Sequence, residues 1–155
     1  MKDYILRPMT LEEVNDLVTE AEGLKDFLPS RAKPDKTIMP LMTKFSKKDY
    51  FKIYGYVNAE QKVVAFITIF EENGSIDIGP MYVCKDNRGM KLGFKQVEDV
   101  IERYKTRGVK EILTQTWGEN QASQGVFAKC GFKIVEIVEN DRVNGDSTVK
   151  FKLEI

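Results

Sequence analysis

Between Val63 and Phe70 apolar residues follow one another almost without a break, and most are β-branched or aromatic. A strand of that composition is covered on both faces, which puts it in the middle of a sheet. The end of the chain reads differently. Val149, Phe151, Leu153 and Ile155 alternate with Lys150, Lys152 and Glu154, the two-residue period of a strand with one wet face. We expect Thr148–Ile155 to be such a strand, and a candidate exposed edge for pairing with a second copy in a homodimer. Further strands are expected at Tyr4–Arg7, Lys52–Val57, Ile76–Val83, Glu111–Trp117 and Phe132–Val138. Glu72-Asn73-Gly74-Ser75 reads as a hairpin turn, and Asn144-Gly145 as a second turn.

Helical spacing appears over Leu11, Val14, Leu17, Val18 and Ala21. Thr10 and Glu13 in front of it form a capping box, and Gly23 can end it. Pro29, Pro34 and Pro40 break the next stretch, with a short helix expected over Leu41–Lys47. Phe94, Val97, Val100, Ile101 and Tyr104 share one face of a long helix over Lys91–Arg107, stopped by Gly108. A last helix spans Asn120–Cys130 before Gly131. The order β-α-α-β-β-β-α-β-α-β-β predicts an α/β fold. Its centre is a mixed, mostly antiparallel sheet of about seven strands with helices on both faces.

Composition narrows the function classes. The chain has 155 residues, which fits one domain over 1–155. Lys plus Arg number 24 and Asp plus Glu 24, so the net charge is 24 − 24 = 0. Neutrality argues against a nucleic-acid binder, whose affinity comes largely from phosphate neutralisation. The aromatics Phe45, Tyr50, Phe51, Tyr54 and Tyr56 interleave with lysines, a pattern we read as sheet packing. The longest fully apolar stretch, Val63–Ile67, is far too short for a membrane span. The start Met1-Lys2-Asp3-Tyr4 does not resemble a secretory signal. Two cysteines, Cys84 and Cys130, form no disulfide framework, so a cytoplasmic setting is expected. The chain has no histidine, which removes His-based triads and His-ligated metals, and we expect no metal. Charge is uneven along the chain. Residues 84–110 hold eight basic and four acidic side chains, net +4, and 31–52 hold seven and two, net +5. Residues 1–28 hold three and seven, net −4.

The basic segment 84–110 contains the stretch that carries chemistry. Val83-Cys84-Lys85-Asp86-Asn87-Arg88-Gly89-Met90-Lys91-Leu92-Gly93 runs from strand through turn into helix. A helix start offers unpaired amides and a positive dipole end, a ready site for phosphate. Glycines there let the backbone come close. Arg88, Lys91 and Lys95 add positive charge.

This segment resembles the acyl-CoA loop of the GNAT superfamily of N-acyltransferases. The family pattern is Arg/Gln-x-x-Gly-x-Gly/Ala after a strand ending in Val-x-Pro. Here Arg88-Gly89-Met90-Lys91-Leu92-Gly93 follows Val83-Cys84-Lys85. A second family pattern is matched by Asn120, Ser123, Phe127 and Gly131-Phe132, and the opening Leu6-Arg7-Pro8 with an acidic helix also fits. The resemblance covers the whole chain. It implies a V-shaped sheet in which the strands Ile76–Val83 and Glu111–Trp117 splay apart around the pantetheine arm of acetyl-CoA. Backbone groups of Met81, Tyr82 and Val83 would pair with that arm, and one amide there would polarise the thioester carbonyl. Gly89, Met90, Lys91, Leu92 and Gly93, with Arg88, would hold the pyrophosphate. Asn120, Ser123 and Phe127 would line the arm. The implied activity is acetyl transfer to the primary amine of a small molecule or peptide by direct attack.

Two positions depart from the family. Lys91 replaces the central loop glycine, and we expect helical backbone there, so that its amide still serves the anion. Phe127 stands where many members have a tyrosine that protonates the leaving thiolate. Water, Cys130 or Tyr82 would then supply the proton. A module that binds acyl-CoA or a protein partner without turnover is the alternative reading. Glu71, Glu72, Asp77 and Glu119 are the carboxylates nearest the expected splay, with Glu72 and Asp77 the preferred candidates for general base.

Overall fold

The computed structural model describes residues 4–24 and 38–155 of the chain. Pro29 and Pro34, and the basic residues Arg31, Lys33 and Lys36, lie outside the described residues. The elements are β1 (Arg7–Pro8), α1 (Leu11–Gly23), α2 (Ile38–Phe45), β2 (Phe51–Val57), β3 (Val63–Glu72) and β4 (Ser75–Val83). A 3₁₀ turn over Lys85–Asn87 precedes α3 (Leu92–Lys105), β5 (Glu111–Trp117), α4 (Gln121–Lys129), β6 (Lys133–Val138) and β7 (Thr148–Glu154).

Local chemistry accounts for most of these boundaries. Thr10 caps α1 through the expected box: its hydroxyl accepts from the Glu13 amide at 3.1 Å, and the Glu13 carboxylate accepts from the Thr10 amide at 2.9 Å. Pro40 does not precede α2 as expected but lies inside its described span. A helix tolerates proline in its first turn, where no intrahelical donor is needed. The first strand is shorter than the sequence suggests. Arg7 and Pro8 alone pair with Gly55 and Tyr54 of β2, and proline is acceptable on such an edge.

Among the described residues the sheet has seven strands in the order β1-β2-β3-β4-β5-β7-β6, antiparallel except for the parallel β4–β5 pair. Helices cover both faces. Phe51 and Tyr54 of β2 lie three residues apart and so face opposite ways. Phe45 of α2 meets Phe51 with ring centroids 6.0 Å apart, and Tyr104 of α3 meets Tyr54 at 6.3 Å on the other side.

The expected edge is corrected. β7 is not an edge: it lies between β5 and β6, and β6 ends the sheet. The alternation in β7 reports which face is covered, not whether a neighbour pairs with it. Its Phe151 packs on Phe127 of α4, 5.3 Å between centroids. Its lysines face the open side and pair with carboxylates, Lys150 with Glu136 at 3.2 Å and Lys152 with Glu111 at 3.1 Å.

One position breaks the logic of the core. Gln96 of α3 is fully buried, and neither its carboxamide nitrogen nor its oxygen has a hydrogen-bond partner among the described residues. Its helical neighbours Leu92, Val97 and Val100 are buried and apolar. An unmade buried hydrogen bond costs of order 1–3 kcal/mol per group. Gln96→Leu is therefore expected to stabilise the fold by about 1–2 kcal/mol, roughly 2–4 °C in Tm per kcal/mol for a chain of this size. Thermal unfolding followed by circular dichroism checks this, and a lowered Tm would show that the carboxamide is satisfied in solution.

Candidate functional site

The site is made by a bulge. Ile69 of β3 pairs with Ile78, and Ile67 pairs with Met81. Thr68 therefore opposes two residues, Gly79 and Pro80, which bends β4. The Thr68 hydroxyl donates to the Pro80 carbonyl at 2.8 Å and fixes the bulge. Pro80 itself has no amide to give a ladder. The parallel ladder between β4 and β5 accordingly runs from Ser75–Glu111 to Ile78–Thr114 and stops there. Beyond that rung β4 stays with β3, while β5 stays with β7 as far as Trp117. The two strands part, and a gap opens between them. The Thr114 hydroxyl donates to the Ile78 carbonyl at 3.1 Å and closes the floor of the gap.

Strand chemistry decides what lines it. The Cys84 amide donates to the Val64 carbonyl at 2.8 Å. In an antiparallel ladder every second residue bonds to the partner, so Tyr82 also faces β3 with its backbone. Met81 and Val83 then turn their amides and carbonyls into the gap. The Val83 carbonyl accepts from Arg88 Nε at 3.3 Å.

Past the gap the chain makes the 3₁₀ turn and enters α3 through two left-handed residues. Gly89 has φ +87° and Lys91 φ +59°. The helical backbone expected at Lys91 is thus corrected. Lys91 is the N-cap of α3, in the left-handed region that glycine favours, and its side chain makes no capping bond. A lysine there costs of order 1 kcal/mol. The N-cap is the half-in flanking residue with non-helical dihedrals, so it takes the conformation the turn demands. The amides of the first turn of α3 remain open for an anion. Lys95 adds less to this end than expected, because its ammonium bonds Asp99 at 2.8 Å and the Tyr4 carbonyl at 2.9 Å.

Asn120 caps α4. Its oxygen accepts from the Ser123 amide at 3.3 Å, and its nitrogen donates to Thr116 and to the Ser123 hydroxyl at 2.8 and 2.9 Å. Phe127 is buried between Phe132 and Phe151, at 5.5 and 5.3 Å. The Tyr82 hydroxyl donates to Glu20 at 3.0 Å. Burial, with Glu98 adding, pushes the Cys130 thiol up to about 11, so little thiolate exists near neutrality. Glu71 accepts from the Tyr104 hydroxyl at 2.6 Å, on the α3 side. Glu119 has its amide on Asp146 at 3.1 Å.

Asp77 is the carboxylate that stands out. It sits on the rung of β4 beside Leu113 of β5 and Phe70 of β3, just short of where the ladder stops. More than a third of its surface is open to water, yet the protein crowded around it, and then the charge of Glu72, raise its pKa to about 6. Glu72 is exposed at the hairpin. The structure thus groups Met81, Val83, Arg88, Gly89 and Lys91 along one gap and its loop. Asp77 lies at the foot of the gap on the face of Phe70.

The sequence reading missed Glu20 and the Thr68–Gly79–Pro80 bulge. Glu20 had a faint signal, an acid beside the buried stripe of Leu17, Val18 and Ala21. The bulge had one too, since Gly79-Pro80 interrupts an otherwise plain strand. Among the described residues no group of acids or cysteines could hold a metal ion, and no helix is long and apolar enough to cross a membrane.

Comparison with known proteins bears on what the gap is for. The description "Acetyltransferase (GNAT) family" matches residues 17–132. Among solved structures the chain is similar to the ribosomal-protein-S18-alanine N-acetyltransferase of Escherichia coli. That match has 15% identity and a TM-score of 0.80, covering 99% of this chain and 94% of that one. It is also similar to the spermidine N-acetyltransferase of Vibrio cholerae in complex with CoA and spermine, at 10% identity and TM-score 0.79, with 97% and 95% covered. An acetyltransferase of Bacillus subtilis in complex with CoA gives 16% identity and TM-score 0.74, with 99% of each chain covered. No curated protein sequence matches.

Proposed function

Since this chain belongs to the acetyltransferase (GNAT) family, we propose that it transfers an acetyl group from acetyl-CoA to the primary amine of a small molecule or peptide. The observation that carries this reading is the early end of the β4–β5 ladder at Ile78–Thr114. It leaves the backbone groups of Met81 and Val83 facing a gap that leads straight to an anion-ready loop. An extended arm with amides can add to β4 there as a strand would. The first-turn amides of α3, with Arg88 and Lys91, suit a pyrophosphate. Acetyl-CoA supplies an activated thioester. The acceptor nitrogen attacks its carbonyl carbon, the carbon–sulfur bond breaks, and the thiolate takes a proton.

Asp77 is the base in this reading. Its raised pKa suits it to take a proton from an ammonium near neutral pH. Glu72 tunes it through charge. A gap-facing amide of Met81 or Val83 polarises the thioester oxygen. Water is the proton donor to sulfur, because Phe127 carries no hydroxyl, the Tyr82 hydroxyl is engaged by Glu20, and the Cys130 thiol is weakly acidic.

One observation favours a second reading. Phe127 is a buried packing residue at the position matching the family's acid, as in a module that binds acyl-CoA without turnover. Titration calorimetry with acetyl-CoA, followed by an amine screen with thiol detection, separates the two. Binding with thiol release supports the transferase, and binding without it supports the module. Absence of binding at millimolar ligand would overturn both.

A further inference from the structure

The gap-lining strand is held from behind by one carboxylate. Glu20 projects from α1, and its Oε1 accepts the Tyr82 hydroxyl at 3.0 Å and the Lys85 amide at 2.8 Å. Its Oε2 lies 3.6 Å from Cys84 Sγ. These donors bracket Val83, whose carbonyl faces the gap. The Tyr82 ring carries the Arg88 guanidinium, 5.2 Å from the ring centroid. Glu20 thus ties down the end of β4, the start of the anion loop, and the platform under its arginine. Burial works against its charge. The Lys85 amide, the Tyr82 and Cys84 bonds and the nearby Arg88 more than offset that, so its carboxyl stays below the usual range and ionised at neutral pH.

We infer that Glu20 is a positioning residue for the acyl donor, presetting Val83 and Arg88 before acetyl-CoA arrives. This rests on reading the gap as the acyl-CoA site. Two effects of Glu20 oppose each other. Its hydrogen bonds hold the site in shape, a gain for binding. Its negative charge faces the same Arg88 that would meet phosphate, a loss for binding. Arg88 is exposed, so water and salt screen the repulsion, and the first effect wins.

Two substitutions separate them. Glu20→Gln keeps an oxygen able to accept from Tyr82 and Lys85 but removes the charge. Glu20→Ala removes both. By calorimetry and steady-state kinetics, Glu20→Ala is expected to raise Kd and KM for acetyl-CoA about tenfold. Its kcat and the amine KM should stay within about twofold of wild type. Glu20→Gln is expected to lie close to wild type, since the positioning bonds survive. Tyr82→Phe removes one donor to Oε1 and should weaken donor binding by a smaller factor. Should Glu20→Ala not fold, Tyr82→Phe carries the test, since it removes a donor to Oε1 and leaves Glu20 in place.

Tighter binding in both Glu20 variants would overturn the inference, because repulsion would then dominate. Equal losses in kcat and in both KM values would overturn it too, as the mark of a general structural role. If the wild-type protein binds acetyl-CoA and Glu20→Ala and Tyr82→Phe bind it as tightly, Glu20 does no positioning. If the wild type itself does not bind, the failure belongs to the parent reading.

Discussion

Asp77→Asn is expected to lower kcat/KM for the amine by about 10²–10⁴-fold, with acetyl-CoA affinity held within about twofold. The side chain stands on the last rungs before β4 and β5 part, cross-strand from Phe70. A base is needed because a primary amine near neutral pH is mostly ammonium and cannot attack. The raised pKa of about 6 comes first from the protein packed around Asp77 and then from Glu72. Only the deprotonated carboxylate accepts a proton, so the wild-type rate should fall as pH drops through about 6 and level off above it. That acid limb should vanish in Asp77→Asn. Glu72→Gln removes the neighbouring charge and should move the limb to lower pH without abolishing it. A pH–rate series on the three proteins checks all of this. Full activity in Asp77→Asn would leave Asp77 as a wall of the site and place the base elsewhere.

The elements that depend on local periodicity were legible in the sequence. The continuous run Val63–Phe70 is a central strand, and the helical stripe from Leu11 to Ala21 is α1 with its capping box. What the sequence hid depends on non-local geometry. β7 looks like an edge because one of its faces is wet, yet pairing runs in the sheet plane, where side-chain alternation carries no information. The loop from Val83 to Gly93 was legible as an anion site from its glycines and cations. The conformation of Lys91 was not, because a helix start tolerates either hand at its cap, and lysine disfavours the one adopted here. Lys95 read as part of the anion site. The one feature in the sequence that distinguishes it from Lys91 is Asp99, one helical turn on, which competes for its charge. Glu20 and Tyr82 are far apart in the chain and meet only because α1 packs across β3 and β4.

Gly79→Ala is expected to destabilise the fold by about 2–4 kcal/mol and to weaken acetyl-CoA binding more than tenfold. A Cβ at this position would come within 2.7 Å of Thr68 Oγ1 and 2.8 Å of Phe70 Cε2. Neither neighbour can yield cheaply. Rotating Thr68 away breaks its 2.8 Å bond to the Pro80 carbonyl and leaves that carbonyl without the donor that fixes the bulge. Moving Phe70 disturbs its contacts with Phe45 and Phe51, whose ring centroids lie 5.1 and 5.0 Å away. The strain therefore passes into the β4 backbone, and β4 is what holds the gap open. Stability and function should fall together here, unlike at Gly125, where a Cβ meets nothing within 4 Å in the middle of α4. Gly125→Ala should instead gain about 0.5–1 kcal/mol from helix propensity. Urea unfolding of both variants, with calorimetry on the same samples, makes the comparison. A Gly79→Ala protein as stable as wild type that still binds acetyl-CoA would mean that the bulge does not set the gap. The parting of β4 and β5 would then have to come from the loop at Val83–Gly93 instead.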